Sequence, residues 1–444
     1  MSKKPDRLRV AAWVSWDWAS AAFNAVVTTF VFSVYITKEE LFGESANTSL
    51  GWVMAVAGIV VALIAPALGQ ATDRSGKRRK LITVTTMTVI VATGCLAFVK
   101  PEHGYLWLGL ALLAIGNIAF EIGSVVYNAM VSDVSTPATV GRISGIGWGA
   151  GYIGGIILML ILFLGFIGPE VGWFGVTTEN GMNVRVAMIG CAIWTFIFSL
   201  PLMLTAKDLA PRNTHHLGIK DAYRELARSL ARLWRVDRPL LWFLISSAIY
   251  RDGLAGVFSF GGVLAGRAFG FSDELVIVFG LLANLVAGIA TISFGYLDDR
   301  LGARPVILFC LVSMVSLGLI VFFFAHVGPI IFWVFGLALC VFVGPVQSAS
   351  RTYLARIIPP GEEGEIFGLY ATTGRAVSFL APFMYSTAIT IGATQLDIPK
   401  SEAAHFGILG IALVLGLGLV TFLLVRRPEE AAEQVTQLKD EGLA

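Results

Sequence analysis

Gly69-Gln70-Ala71-Thr72-Asp73-Arg74-Ser75-Gly76 and Gly295-Tyr296-Leu297-Asp298-Asp299-Arg300-Leu301-Gly302 share the pattern G-x-x-x-D-R-x-G, 226 residues apart in a chain of 444. An echo follows each copy: Gly141-Arg142-Ile143-Ser144-Gly145 after the first, Gly364-Glu365-Ile366-Phe367-Gly368 after the second. Two matched pairs in the same order indicate a duplicated chain. The glycines permit tight turns. Asp73 is suited to the positive end of a nearby helix N-terminus. The following Lys77-Arg78-Arg79-Lys80 also reads as a topology anchor.

The sequence around these loops is apolar: 56% of residues are hydrophobic, 14% are charged, and mean hydropathy is +0.77. Soluble domains carry about 25% charged residues, so this surface needs lipid to cover it. Crossing the hydrocarbon core takes about 20 apolar residues. Twelve stretches qualify, at about 11–36, 50–71, 81–100, 104–130, 143–167, 185–206, 239–266, 274–297, 305–326, 329–350, 365–392 and 404–425. The alternating ten-residue strands of a membrane barrel are not seen. The basic start runs into a span too long for a cleavable signal peptide. A net charge of +2 gives no footprint for nucleic acid. Cys95, Cys191, Cys310 and Cys340 lie singly in apolar runs and read as packing thiols. The fold class is an all-α polytopic membrane protein.

With both termini in the cytoplasm, the outer loops hold only Lys38, Lys100, Arg185, Arg267 and Lys400 of the 32 Lys and Arg. The positive-inside rule therefore fixes this orientation, in a cell (inner) membrane. The spans divide six and six: an N-terminal bundle over 1–206, a cytoplasmic linker over 207–238, a C-terminal bundle over 239–427 and an acidic tail over 428–444. In the linker, Tyr223, Leu226, Leu230 and Leu233 make an apolar face, with Lys220, Arg224, Arg228 and Arg232 recurring on another. Such a helix lies along anionic lipid, with a partner-binding site as the alternative.

Gly-x-x-x-Asp-Arg-x-Gly followed by Lys77-Arg78-Arg79, repeated in the second half, resembles the signature loop of the major facilitator superfamily. That resemblance implies twelve transmembrane helices in two pseudo-symmetric six-helix bundles. It also implies charge networks that lock the cytoplasmic side, here through Asp73, Arg74, Asp299 and Arg300; Asp133 and Arg142, near the loop between the fourth and fifth spans, read as further gate residues from their position. Trp16-Asp17-Trp18-Ala19-Ser20-Ala21-Ala22-Phe23-Asn24, Tyr127-Asn128-Ala129, Tyr250-Arg251-Asp252-Gly253, and Gln347-Ser348-Ala349-Ser350-Arg351 with Ile358-Pro359-Pro360-Gly361 are similar to the vacuole-effluxer-like branch. That branch has a fungal member linked to autophagy and to amino-acid release from the vacuole.

A charge at the bilayer centre costs at least about 2.5–3.5 kcal/mol, so each is a functional candidate. Asn117, Glu121, Ser124 and Asn128 form one stripe at helical spacing in the fourth span; Asp17, Ser20, Asn24 and Thr28 form another in the first. The seventh span carries Tyr250, Arg251 and Asp252, and the eleventh carries Arg375. Gln347 in the tenth lies 226 residues after Glu121, a neutral counterpart in the repeat. In the resembled fold, spans one, four, seven and ten line the cavity. The candidates for substrate binding or coupling are thus Asp17, Asn24, Asn117, Glu121, Asn128, Tyr250, Arg251, Asp252, Gln347 and Arg375. A carboxyl in a cavity that wets and dries can also carry a proton.

Gly149-Ala150-Gly151-Tyr152-Ile153-Gly154 matches a dinucleotide fingerprint, but it lies within a membrane span and follows no strand. Its glycines instead suit close helix packing. His103, His215, His216, His326 and His405 are scattered, so no metal site or cofactor is expected. No phosphate-binding G-x-x-x-x-G-K-[ST] loop is present, and no nucleophile–base set marks an enzyme. The expected activity is secondary transport of a small polar solute, an amino acid or similar zwitterion, by alternating access, with a proton or sodium ion as coupling species. Sugar–cation symport, export of lipid-like or drug-like compounds, and a membrane receptor are the alternatives. Membrane lipids and the solute are the expected partners of a monomer.

Overall fold

In the computed structural model, residues 6–210, 224, 228, 234, 238–399 and 402–425 are described. Twelve helices in these residues are long and apolar enough to cross a membrane. They are α1 Arg7–Ile36, α2 Ala46–Ser75, α3 Arg78–Phe98, α4 His103–Ala129, α5 Val140–Ile167 and α6 Glu179–Thr205, followed by α7 Arg238–Phe269, α8 Glu274–Leu301, α9 Ala303–Phe323, α10 Pro329–Ile357, α11 Glu363–Leu396 and α12 Ala403–Phe422. Each overlaps one of the twelve stretches read from the sequence. The amphipathic face of the linker, His215-His216 and the acidic tail lie outside the described residues.

On α2, Trp52, Val56, Ile59 and Leu63 recur every three or four residues and are all exposed, which marks the lipid-facing stripe. Its opposite face buries Ala57, Val61 and Ala65, small groups that let neighbouring helices approach closely. The repeat is visible in the packing. In the first half α1 packs on α6, α2 on α4, and α3 on both α4 and α6; in the second half α7 packs on α12, α8 on α10, and α9 on both α10 and α12. The last glycines of the duplicated pattern, Gly76 and Gly302, both have positive φ, +69° and +86°. Each turns the chain into the next helix in a conformation that disfavours a side chain.

Contacts divide the molecule into two compact units that do not follow the sequence halves throughout. The first takes in Gly361–Gly368 from the start of α11, and the second takes in Pro137–Gly149 from the start of α5. Departures from regular helix geometry in α1 and α11 bear on the candidate sites. In α1 the turns over Ala22–Phe30 widen, with Val31 N–H donating to Val26 O and the hydroxyls of Thr28 and Thr29 both returning to Asn24 O. Such π turns are rare and concentrate at functional positions. α11 is broken at Ser378–Phe379, just before Pro382. Proline lacks an N–H, and its ring clashes with the carbonyl four residues earlier.

Candidate gates and polar clusters of the spans

In the first unit the end of α2 meets the start of α11. Asp73 accepts from the backbone N–H of Glu365 at 2.9 Å with one oxygen and from Arg78 Nη2 at 3.0 Å with the other. Glu365 is in the first turn of α11, so the carboxylate meets the unpaired N–H groups and positive end of that helix. Arg78 is the hub, 1% exposed; Nη1 also grips both oxygens of Asp133 at 3.1 and 3.0 Å, and Nη2 reaches Glu363 at 2.9 Å. Burial pushes the Asp133 carboxyl up, against the downward pull of the Arg78 guanidinium. Gln70 donates to Glu365 at 3.1 Å.

The second unit repeats this arrangement with the other pair of motifs. Asp299 at the end of α8 accepts from Gly141 N–H at 2.7 Å, in the first turn of α5. Arg142 lies 3.6 Å and Arg356 3.8 Å from the same carboxylate. Asp298 pairs with Arg356 and accepts from the Thr352 hydroxyl. Deeper in, Arg351 is buried against α5, donating from Nε to Ser144 Oγ at 2.9 Å and from Nη2 to Ser144 O at 2.8 Å. Its guanidinium lies 5.0 Å from the Trp148 ring centroid.

Among the gate candidates, Asp73, Asp133, Arg142 and Asp299 therefore enter these two clusters. Arg74 is half-buried beside the first, and Arg300 is exposed. The sequence reading did not single out Arg78, Glu363, Asp298, Arg351 or Arg356. In the structure Arg78 is the member of its basic run that stands at the first position of α3, after the left-handed turn at Gly76.

The polar candidates of the N-terminal half fall on α1 and α4. Asp17 is half-buried and accepts from the Tyr127 hydroxyl at 2.7 Å. The Tyr127 ring stacks on Trp13 and Trp16, with centroids 4.5 and 4.3 Å apart. Trp16 donates to Thr86 on α3, while Trp18 stacks on Trp194 of α6 and lies against Gly154 of α5. The W-D-W triplet thus ties α1 to four helices. Asn117 is buried, and its amide nitrogen has no hydrogen-bond partner among the described residues. Glu121 and Asn128 are half-buried along the same stripe; Asn24 is exposed on the widened turns of α1. The pocket bounded by Trp16, Ser20, Phe23, Phe120 and Thr195 is near the size of one water molecule, too small for a solute.

In the C-terminal half, Tyr250 is fully buried, and its hydroxyl bonds Ser350 Oγ at 2.6 Å. It ties α7 to α10 and offers no open face, unlike its role in the sequence reading. Arg251 is half-buried; its guanidinium lies 3.8 Å from the Tyr370 ring centroid, and Nη1 donates to Tyr370 O at 2.9 Å. Nε and Nη2 remain without a hydrogen-bond partner among the described residues. Asp252 is buried and accepts from Ala381 N–H. Gln347 and Arg375 are half-buried on α10 and α11.

The chain resembles known proteins over its full length. An "Uncharacterized MFS-type transporter YxiO" of Bacillus subtilis is 27% identical over 97% of both chains. "Autophagy-related protein 22" of Yarrowia lipolytica is 20% identical over 92% of this chain and 80% of that protein. Among solved structures, the human organic anion transporter MFSD10 superposes with a TM-score of 0.71 at 15% identity, covering 96% of this chain and 100% of that one. The proton:xylose symporter XylE gives 0.68 at 14%, over 94% and 95%. The likeness to these solved structures establishes the major facilitator fold. The family described as "Vacuole effluxer Atg22 like" matches residues 133–433, more than half of the sequence, and the chain belongs to it.

Proposed function

We propose that the protein moves a small zwitterion, an amino acid or close analogue, across the cell membrane by alternating access, with both termini cytoplasmic. The observation that carries this reading is the pair of mirrored latches. In each, the aspartate that ends one helix of a repeat caps the first turn of a helix from the other repeat: Asp73 on α11, Asp299 on α5. Hydrogen bonds from two N-termini can be released and remade without unfolding either bundle, which a cytoplasmic gate requires.

A zwitterion needs one group of each sign. Glu121 and Asp17 in the N-terminal half suit an ammonium. Arg251 in the C-terminal half suits a carboxylate, because Tyr370 pins one edge of its guanidinium and leaves Nε and Nη2 for an anion. The test is counterflow of radiolabelled amino acids in proteoliposomes containing the purified protein. Trans-stimulated exchange of an amino acid, absent with sugars, is the expected result. Exchange of sugars alone, or of no solute among amino acids, sugars and nucleosides, would overturn the substrate class.

A further inference from the structure

The break in α11 is spanned by two adjacent residues of α7. Arg251 holds the segment before it, through Tyr370 O and the Tyr370 ring, in space left open by Gly374; a Cβ there would lie 3.2 Å from the guanidinium. Asp252 holds the segment after it, through the N–H of Ala381 in the first turn of Leu380–Leu396. The capping position of that second segment is Phe379, which has no side-chain oxygen to offer. Asp252 therefore supplies from a neighbouring helix the carboxylate that the local sequence lacks.

Asp252 is 6% exposed, and among the described residues the bond to Ala381 is its single polar contact. On α7 it is flanked by Tyr250 and Arg251. α11 brings Arg375 before the break and Tyr385 after it, and α10 brings Arg351 and Tyr353. α12 packs there with Ile411 and Leu415, and α8 has no charged residue between Glu274 and Asp298. None of these forms an ion pair or hydrogen bond with Asp252. A buried carboxylate with no counter-cation is unstable unless it is neutralised.

We propose that Asp252 is the proton-binding carboxyl of this transporter and that its protonation frees the second segment of α11. The proposal rests on the transporter reading but not on the solute. Ionised, the carboxylate is favoured at the positive end of Leu380–Leu396 and holds Ala381. A proton taken from water onto the oxygen not bonded to Ala381 removes the charge and most of that attraction. The Pro382 break then serves as a hinge. A metal cation suits the site poorly, because it would need several oxygen ligands and the nearest polar partner is an N–H donor.

The test uses the full-length protein in lipid nanodiscs without solute, so its outcome is independent of the substrate class. An environment-sensitive fluorophore is attached through Thr394→Cys, at an exposed position of the second segment, and followed as pH is varied; infrared difference spectra follow carboxyl protonation in parallel. The expected result is a sigmoidal fluorescence change accompanied by one carboxyl band. Asp252→Asn should lose that band and hold the fluorescence at its low-pH level throughout, while Asp252→Glu should move the midpoint. Wild-type titration in Asp252→Asn would overturn the proposal. If that variant does not fold, an unmoved midpoint in Asp252→Glu would overturn it equally.

Discussion

A Cβ built on Gly69 would sit 2.0 Å from the carbonyl oxygen of Gly364, so the end of α2 and the start of α11 touch backbone to backbone. The mirrored pair is nearly as close: a Cβ on Gly141 would lie 2.7 Å from Gly295 O. Only glycine at these positions lets Asp73 and Asp299 reach the backbone N–H groups they cap. Gly69→Ala should therefore hold the latch apart, at about 1–3 kcal/mol for overpacking. Labelling of a cysteine introduced by Thr72→Cys, buried beside Asp73, should rise several-fold. Gly51→Ala, with open space around its Cβ, is the control and should change nothing. Unchanged labelling in Gly69→Ala would remove the steric argument.

Neutralising the cap should act in the same direction. Asp73→Asn keeps an oxygen for Glu365 N–H but loses the charge that faces both Arg78 and the helix end. A charge at a helix N-terminus contributes about 0.3–1 kcal/mol, up to ~2 when partly buried. Asp73→Asn should thus raise labelling at position 72 modestly, and the double variant with Asp299→Asn should raise it more than either alone. Equal labelling in all three and in wild type would count against the gate.

Arg78→Gln should be the most damaging change in the first cluster. It leaves Asp73, Asp133 and Glu363 without their shared cation, and breaking a buried pair costs about 3–5 kcal/mol. Partial exposure of Asp133 places this case toward the lower end. The thermal midpoint in detergent should fall clearly for Arg78→Gln and less for Arg78→Lys, since an ammonium is a point charge that cannot span three carboxylates. Identical melting of Lys and Gln variants would show that fork geometry does not matter here.

Much of this arrangement was legible in the sequence, because a repeat is a statement about geometry. The duplicated G-x-x-x-D-R-x-G and its echoes marked the four stretches that meet in the two clusters, though not which motif meets which echo, and span length marked all twelve helices. The reading of Asp73 as a partner for a helix N-terminus required only its place at the end of the second span. Arg78 was not legible as the hub: in sequence it is one of four consecutive basic residues, and only the turn at Gly76 decides which of them points inward. Tyr250 and Arg251 illustrate the same limit. Adjacent residues on a helix point about 100° apart, and the fold buried Tyr250 against Ser350 while leaving Arg251 an open edge.

For Arg251 the informative substitution is lysine. Lysine keeps a cation near the Tyr370 ring, so the packing should survive, but it cannot offer two parallel donors to a carboxylate. Loss of one charge-assisted hydrogen bond costs about 1.5–3 kcal/mol, or roughly 10- to 150-fold in Kd. Binding of whichever solute shows counterflow should weaken by that factor in Arg251→Lys, with the thermal midpoint unchanged. Wild-type affinity would leave Arg251 as only the clamp on α11.

Glu121 decides between recognition and coupling. Its stripe on α4 includes Asn117, whose amide nitrogen is buried without a partner among the described residues, and half-buried Asn128. The position 226 residues later holds Gln347, but Asn117 and Asn128 are matched by Val343 and Leu354, so the stripe is repeated only in part and its charge is not repeated. An ammonium ligand must be negative throughout the cycle, whereas a proton carrier must lose and regain its charge. Glu121→Gln keeps the shape and removes the charge, and two assays separate the roles. Counterflow needs solute binding but no net driving force; uptake driven by a pH gradient needs both. If Glu121 faces the ammonium group, Glu121→Gln should lose both activities while its thermal midpoint stays near wild type. If it carries the proton, driven uptake alone should fail, and Asp252 would then no longer be the coupling group. Full activity in both assays would make Glu121 a satisfied structural carboxyl and move ammonium recognition to Asp17, whose Tyr127 partner already holds it in place.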